Sequence, residues 1–304
     1  MNNPRAYYLK KKGGIVISKE VRLRRITGSD QRTVIIPIDQ SITSGPIPGL
    51  QNIGKTIRDI MDGKPNAMVM HRGPVMAGLW APESSTGLII HLSGATQLSD
   101  CPQVKACVCS VEAALQLGAD AVSVHVSLGM GNERDNQALT EFGRISDQCQ
   151  QWNMPLLAMM YVYGNHPDKA EAIIHAARIG CELGADLIKV NYTGDLRSFG
   201  RLIKTSYVPV VVAGGEPAGD GYGLLKQTEE ALSVGAAGVC IGRNVYQHQH
   251  PTRMARALSA MVHGRCSAHD VYEEYIRPSS VVPDESKELS AGSMLGFARE
   301  PATR

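Results

Sequence analysis

The stretch HAARIGCELGADLIKV, residues 175–190, follows a design that occurs twice more, as VEAALQLGADAVSVHV at 111–126 and TEEALSVGAAGVCIG at 228–242. In each stretch a helical apolar pattern ends at a glycine, and an alanine-rich turn leads into an apolar strand. Glycine tolerates the left-handed conformation of a helix cap, and the helix-ending glycines are Gly118, Gly184 and Gly235. Helix, short loop and buried strand make half of a βαβ unit, so the repetition predicts a parallel sheet.

Eight apolar segments along the chain are predicted to be strands. They are Val34–Ile38, Ala67–Met70, Gly87–Leu92, Ala121–Val126, Pro155–Met160, Leu187–Val190, Pro209–Ala213 and Ala237–Ile241. Eight βα units within about 250 residues match a (β/α)₈ (TIM) barrel. A doubly wound open sheet is the alternative, but no GxGxxG follows an early strand. The sequence therefore predicts one α/β barrel domain at 29–275, between a basic N-terminal extension at 1–28 and a C-terminal tail at 276–304.

The composition argues against a general affinity for nucleic acid or for membranes. Of the 304 residues 20% are charged, and the formal net charge is +2. The basic extension is interpreted as a solvated terminus or as a lid over an anionic substrate. No segment has the roughly 18 uninterrupted apolar residues of a membrane span, and the start lacks the order of a signal peptide. Seven cysteines without paired CxxC spacing indicate reduced thiols in a cytoplasmic protein.

Lys189 interrupts the apolar strand LIKV. In a (β/α)₈ barrel the chemistry lies at the carboxyl ends of the strands, and a buried lysine needs a partner or a function. Burial is expected to lower the pKa of Lys189, which would supply a neutral amine able to form an iminium with a ketone. The alternative is a purely structural lysine paired with Asp39.

Two further strand-end residues are candidates for proton transfer. Tyr161 follows PLLAMM on the fifth strand, where a phenol can exchange a proton with a substrate hydroxyl. Tyr163 is a nearby alternative, and either tyrosine could serve only as a hydrogen-bonding group. Asp39 ends VIIPID, where a buried carboxylate is costly unless it is paired or used. It could also simply cap the segment that follows.

The ends of the last two strands, VVVAGGEPAG and GVCIGRN, are typical of an anion cradle. Gly214, Gly215 and Gly242 allow backbone N–H groups to approach a phosphate closely, and Arg243 can add a charge-assisted hydrogen bond. Phosphate sites formed by the loops after strands seven and eight recur in this fold. The pattern therefore predicts a phosphorylated substrate.

Three histidines on strands two, three and four offer a metal-centred alternative. His71, His91 and His125 could be zinc ligands of a metal-dependent enzyme. They are single and widely spaced, without an HxH or HxxxH pair. Core or substrate-contacting histidines are favoured instead. His125 is kept as a substrate-binding candidate, and neither a metal nor another cofactor is expected.

Motifs at all eight strand ends resemble those of one family, in order along about residues 20–275. They are TVIIPIDQSITSGPIPGL, MVMHRGPV, LIIHLSGAT, LGADAVSVHV, MPLLAMMY, ELGADLIKVNYTGD, VPVVVAGGEP and GAAGVCIGRNVYQH. The sequence resembles the archaeal-type class I fructose-bisphosphate aldolase superfamily. It is most similar to the branch of 2-amino-3,7-dideoxy-D-threo-hept-6-ulosonate synthases and other aldolases that use L-aspartate semialdehyde.

The resemblance implies a role for each candidate residue. The Schiff-base lysine of the family falls on Lys189, its acid–base tyrosine on Tyr161 and its strand-one aspartate on Asp39, and its phosphate loops fall on the glycines and arginine of the predicted cradle. It implies a phosphorylated ketose donor, L-aspartate semialdehyde as acceptor, and a homo-oligomer, a pentamer or decamer.

The sequence departs from the family pattern at two places. Gln40 stands where the family has a histidine, and it cannot titrate; Val190 and Asn191 replace a polar residue and a variable one after the lysine. A changed acceptor or a changed donor sugar is compatible with these differences. So are fructose-bisphosphate aldolase activity, an autoinducer-type thiolase activity and a non-catalytic phosphosugar-binding protein.

Overall fold

The computed structural model describes residues 17–80, 85–217 and 219–277. Eight parallel strands pair in chain order, and the first also pairs with the last, which closes the barrel. The strands are Thr33–Pro37 (β1), Ala67–Met70 (β2), Gly87–His91 (β3), Ala121–Leu128 (β4), Leu156–Val162 (β5), Leu187–Val190 (β6), Val210–Ala213 (β7) and Gly238–Cys240 (β8). The predicted barrel is confirmed, and every predicted strand boundary lies within two residues of the observed one.

Helices surround the barrel and fill the connections between its strands. They are Ile17–Ile26 (α1), Ser41–Ser44 (α2), Ile53–Met61 (α3), Arg72–Met76 (α4), Val111–Gln116 (α5), Asn132–Gln151 (α6), Lys169–Glu182 (α7), Leu196–Thr205 (α8), Tyr222–Ser233 (α9), Arg243–Tyr246 (α10), Pro251–Gly264 (α11) and Ala268–Val271 (α12), followed by a π-helical turn at Tyr272–Ile276. The three helix-ending glycines of the repeats have φ values of +79°, +89° and +107°, as a left-handed cap requires. None of the described helices is long and apolar enough to span a bilayer.

Period-two alternation along the strands divides the apolar residues into two layers. Side chains such as Ile36, Ile188 and Val212 face outward and pack beneath the helices. Ile35, Val69 and Val211 face inward and fill the barrel interior. This filled interior leaves room for a site only at the ends of the barrel.

Helix α1 lies across the end of the barrel where the strands begin. Ile26 is fully buried among the inward-facing side chains. Lys19 forms an ion pair with Asp186, at 2.7 Å between Nζ and Oδ2, just before β6. Arg22 donates a hydrogen bond of 2.6 Å to the carbonyl of Ala119, just before β4.

The described part of the basic extension is therefore anchored opposite the carboxyl ends of the strands, so it does not form a lid over them. Residues 1–16, and residues 278–304 of the predicted tail, lie outside the described residues. The proposed boundaries after residues 28 and 275 remain predictions.

A short antiparallel ladder follows β3. Ser93–Gly94 pairs with Ala106–Cys107, and the loop between them lies over the carboxyl ends of the strands. The hydroxyl of Ser127 on β4 donates a hydrogen bond of 2.6 Å to the carbonyl of Gln103, which fixes this loop to the barrel.

Candidate active site

The carboxyl ends of the strands open into a cavity of about 410 Å³. It is lined by every residue that the sequence analysis selected: Asp39, His71, His91, His125, Tyr161, Lys189, Gly214, Gly215, Gly242 and Arg243. Strands far apart in the sequence thus bring one set of polar side chains together.

Lys189 faces the barrel interior because it shares the inward phase of β6 with Leu187. Its side chain is buried, at 7% exposure. The amine lies 5.9 Å from the centre of the Tyr161 ring, and its electrostatic neighbours include the Tyr161 hydroxyl and the thiol of Cys240 on β8. The lysine that interrupts the apolar strand therefore reaches the cavity.

The pKa of Lys189 is raised, so the lowered value expected from burial was wrong. Burial does oppose the ammonium charge, but Cys240, Tyr161 and Asp39 in their anionic forms stabilise it more strongly. Burial raises the pKa of Cys240 to about 11, so this thiol is neutral near pH 7. Asp39 remains as the carboxylate that favours the ammonium at neutral pH. The resting amine is protonated and must lose a proton before it can act as a nucleophile.

Asp39 interacts electrostatically with His91 and Lys189. Burial favours its neutral form, but these interactions lower its pKa below the ordinary value. Its Oδ2 is 3.6 Å from Nε2 of His91. Within the described residues, no direct ion pair joins Asp39 to Lys189, so the structural pairing considered from the sequence is not formed. The Asp39 carboxylate therefore raises the pKa of Lys189 by electrostatic attraction without a direct contact.

His91 is a neutral side chain of the cavity wall. Its burial lowers its pKa to about 4. Its Nδ1 is 2.8 Å from the hydroxyl of Ser123, and its ring packs edge-on against His71 at 5.4 Å between centroids. A proton on Nε2 suits the nearby Asp39 carboxylate, so the Ser123 hydroxyl then donates to Nδ1.

Two aromatic side chains on β4 and β5 support each other. The rings of His125 and Tyr161 stack at 4.5 Å between centroids, which orients the phenol toward Lys189. The hydroxyl of Tyr163 lies 3.3 Å from Nε2 of His125, whereas the Tyr161 ring is the one that lies near the amine of Lys189. Tyr161 is therefore better placed than Tyr163 to exchange a proton with a group bound to Lys189.

The metal-centred alternative gains no support from this arrangement. In the ranges that the structure describes, no three His, Cys, Asp or Glu side chains are grouped so as to hold a metal ion. His125 contacts Tyr161 and Tyr163, whereas His71 and His91 pack together near Asp39.

The loops after β7 and β8, which the sequence predicts to be an anion cradle, both line the cavity. A Cβ at Gly242 would overlap the carbonyl oxygen of Pro37, so only glycine allows this close approach of the β1 and β8 ends. Gly215 has a φ of +67°, and the amide of Asn244 donates a hydrogen bond of 3.1 Å to the carbonyl of Gly214. Backbone N–H groups here suit a phosphate.

Arg243 forms an ion pair with Glu216 at the edge of the cradle. The Glu216 side chain is 78% exposed, so it can move aside when another anion approaches. In this structure the Glu216 carboxylate is therefore bound to the Arg243 guanidinium, the group that is predicted to bind phosphate.

Cys240 and Lys105 are among the groups lining the cavity that sequence reasoning missed. Cys240 lies in the inward phase of β8, and period two applied to GVCIG would have found it. Lys105 lies in the loop between the two ladder strands, in the non-periodic stretch SDCPQVKACVCS. No pattern in that stretch marks it.

The fold and the cavity together define a (β/α)₈ barrel with a lysine-centred candidate active site at its mouth. The family model of the DeoC/LacD family aldolases matches residues 33–248, most of the barrel. The chain belongs to this aldolase family.

Individual relatives agree with this assignment. The chain is 41% identical over 258 residues to 2-amino-3,7-dideoxy-D-threo-hept-6-ulosonate synthase 1 of Archaeoglobus fulgidus, covering 85% of this chain and 96% of that one. It is 38% identical over 252 residues to the 2-amino-4,5-dihydroxy-6-oxo-7-(phosphonooxy)heptanoate synthase of Streptomyces griseus, covering 81% and 90%.

A solved structure is also similar to this chain. An archaeal fructose-1,6-bisphosphate aldolase with its catalytic lysine covalently bound to the carbinolamine intermediate matches with a TM-score of 0.72 and 31% identity, covering 81% of this chain and 99% of that one. The resemblance expected from the sequence is confirmed, and the chain is a class I, lysine Schiff-base aldolase.

Proposed function

We propose that this enzyme joins a ketose-phosphate-derived fragment to L-aspartate semialdehyde through an iminium on Lys189, giving a seven-carbon amino-keto sugar acid. The observation that carries the proposal is the buried amine of Lys189, which faces one cavity together with Tyr161, Asp39 and an anion cradle. The similarity to the two heptanoate and heptulosonate synthases favours this product class over other aldol products. The product would serve the biosynthesis of aromatic or aminohydroxybenzoate-type compounds.

In this proposal the phosphate of the donor binds at Gly214, Gly215, Gly242 and Arg243. Arg243 exchanges its contact with Glu216 for the phosphate, a charge-assisted hydrogen bond to a stronger acceptor. The ketone carbon of the donor then lies over the amine on β6.

In the proposed reaction the groups around the amine of Lys189 carry out the proton transfers. The ammonium of Lys189 first gives up a proton, for which the carboxylate of Asp39 is the acceptor among the groups that act on the amine. The free amine attacks the ketone, and the carbinolamine takes up a proton on its oxygen and loses water, which leaves an iminium. Loss of a proton, or of an aldehyde fragment, from the adjacent carbon gives the enamine.

The enamine carbon then attacks the aldehyde of the acceptor. A carbon–carbon bond forms, the carbonyl π electrons move to oxygen, and Tyr161 supplies the proton that this oxygen takes up. Water hydrolyses the resulting iminium and restores Lys189. Simple condensation with dihydroxyacetone phosphate and fragment transfer from 6-deoxy-5-ketofructose 1-phosphate share this enamine chemistry, so both donors belong in the test.

The test is borohydride reduction in the presence of each donor, followed by peptide mass spectrometry. We expect a donor-derived mass increase on Lys189, and product only when aspartate semialdehyde is added. Lys189→Met should abolish both signals, because methionine fills similar space without a nucleophile. Lys204→Met, at an exposed position of α8, is the matched control and should retain both. Full activity of Lys189→Met would refute the proposal.

We further propose a cytoplasmic location and a closed ring of five copies, or a pair of such rings. Large apolar side chains that are exposed in the single chain, Leu98 at 96% and Met76 at 70%, favour burial against another copy. Light scattering distinguishes these assemblies from the 32.7 kDa single chain.

A further inference from the structure

Lys105 is a second lysine in the cavity. It is half-buried, and it lies in the loop between Ser93–Gly94 and Ala106–Cys107. Throughout the described parts of the chain, no hydrogen bond or ion pair to its ammonium group is formed, whereas Arg243 across the cavity is paired with Glu216. An unpaired cation that is half withdrawn from water is unfavourable, so this position favours an anionic ligand.

The electrostatic surroundings of Lys105 agree with this interpretation. Burial lowers its pKa, and the carboxylate of Asp39 opposes that effect only in part. Its charge in turn helps to lower the pKa of His91 and of His125. The ammonium therefore acts on the β3–β4 side of the cavity, where the neutral histidines supply no counter-charge.

The position of Lys105 is set by the barrel. In the closed strand order, β3 and β4 lie four strands away from β7 and β8, across the mouth. The Lys105 loop is fixed on this side by the contact of Ser127 with Gln103 and by a 3.1 Å hydrogen bond from the backbone N–H of His125 to the hydroxyl of Ser93. A ligand that begins at the anion cradle and passes Lys189 therefore ends beside Lys105.

We propose that Lys105 binds the carboxylate of the acceptor aldehyde and so selects acceptors that carry one. The identity of the acceptor rests on the proposed function; the unpaired cation and its place across the cavity do not. A single ammonium matches one carboxylate, whereas the cradle after β7 and β8 already provides several backbone donors for phosphate.

Two variants separate charge from size at this position. Lys105→Met removes the charge and keeps the length, and Lys105→Arg keeps the charge. Lys204→Met again serves as the exposed control. The probe is L-homoserine, in which a CH₂OH group replaces the aldehyde, and calorimetry measures its binding to enzyme that already holds dihydroxyacetone phosphate.

We expect Lys105→Met to weaken homoserine binding by about 10- to 100-fold, the value of a charge-assisted hydrogen bond. Lys105→Arg should retain most of the affinity. Borohydride trapping of the donor on Lys189 should stay unchanged in both variants. In turnover, Lys105→Met should raise KM for aspartate semialdehyde and leave KM for butanal, which lacks a carboxylate, unchanged.

Equal homoserine affinity in wild type and Lys105→Met would overturn the inference, as would an absence of homoserine binding to wild type. An equal penalty for butanal would also overturn it. A penalty larger for glyceraldehyde 3-phosphate than for homoserine would assign Lys105 to phosphate instead. If the donor is trapped but aspartate semialdehyde gives no product, the proposed function fails, while homoserine binding still decides the role of Lys105.

Discussion

His91 shows how the barrel interior sets the charge of a single side chain. Its pKa lies at about 4 because burial disfavours the charged ring, whereas a histidine in an unfolded chain titrates near pH 6.5. Between these two pH values the unfolded chain binds a proton that the folded protein does not. The free energy of unfolding therefore falls as the pH drops from about 6.5 to 4.

His91→Gln should flatten this pH dependence. A shift of this size corresponds to a stabilisation on the order of 3 kcal/mol that is present above pH 6.5 and lost toward pH 4. Urea unfolding at pH 7.5 and at pH 5 measures the difference. His71 and His125, whose pKa values burial also lowers, contribute with the same sign, so the slope should shrink without vanishing.

His175→Gln, at an exposed position of α7, is the control and should leave the slope as in wild type. An unchanged slope in His91→Gln would show that His91 titrates in the folded protein as it does in the unfolded chain.

For Lys189 the sequence could predict that the side chain is buried but not the direction in which its pKa shifts. Its burial could be predicted from four consecutive strand residues, and the prediction was right. The direction of its pKa shift could not be predicted from the sequence, because the groups that stabilise the ammonium lie on β5, on β8 and at the end of β1. No local pattern indicates which of these side chains meet at the centre of the barrel.

Helix α1 is the element whose role is least visible in the sequence. Its basic residues suggested a solvated arm, but Lys19 and Arg22 are bound at the start of β6 and β4. The strands were predicted within two residues because a buried parallel strand is apolar on both faces. A helix that covers the end of a barrel has no comparable signature, since among the side chains described from residue 19 onward only Ile26 and Leu23 of this helix pack with the interior layer.

Ile26→Ala should destabilise the fold by about 2–5 kcal/mol, because it leaves a cavity at the base of the barrel. Val21→Ala on the same helix is the matched control. The Val21 side chain is 45% exposed, so this change should lower the free energy of unfolding by less than about 0.5 kcal/mol. Chemical denaturation measures both values. Similar losses in the two variants would mean that α1 does not contribute to the core through Ile26.

At the scale of the whole molecule, the seam between β1 and β8 makes the barrel closed. Thr33 pairs with Gly238 in this seam, where the backbone of Gly238 has a φ of +147°. A Cβ at Gly238 would overlap the carbonyl oxygen of Thr33. Repeated βαβ units alone fit an open sheet as well as a barrel, so the closure was inferred from the number of units, and it is confirmed.

Gly238→Ala should therefore lower the free energy of unfolding by more than about 4 kcal/mol, in the exceptional range for one substitution, or prevent folding. Gly143→Ala in the middle of α6, where a Cβ meets no atom within 4 Å, should instead stabilise the protein by roughly 0.5–1 kcal/mol. Thermal and urea unfolding of the two variants provide the comparison. Wild-type stability in Gly238→Ala would show that the seam tolerates a wider spacing.

Helix α1 lies across the base of the barrel, and the cavity opens at the carboxyl ends of the strands. In the proposed reaction both reactants therefore enter, and the product leaves, at this one end of the barrel. Because the anion cradle and Lys105 lie on opposite sides of the same cavity, a product that spans them must depart before a new pair of reactants can bind.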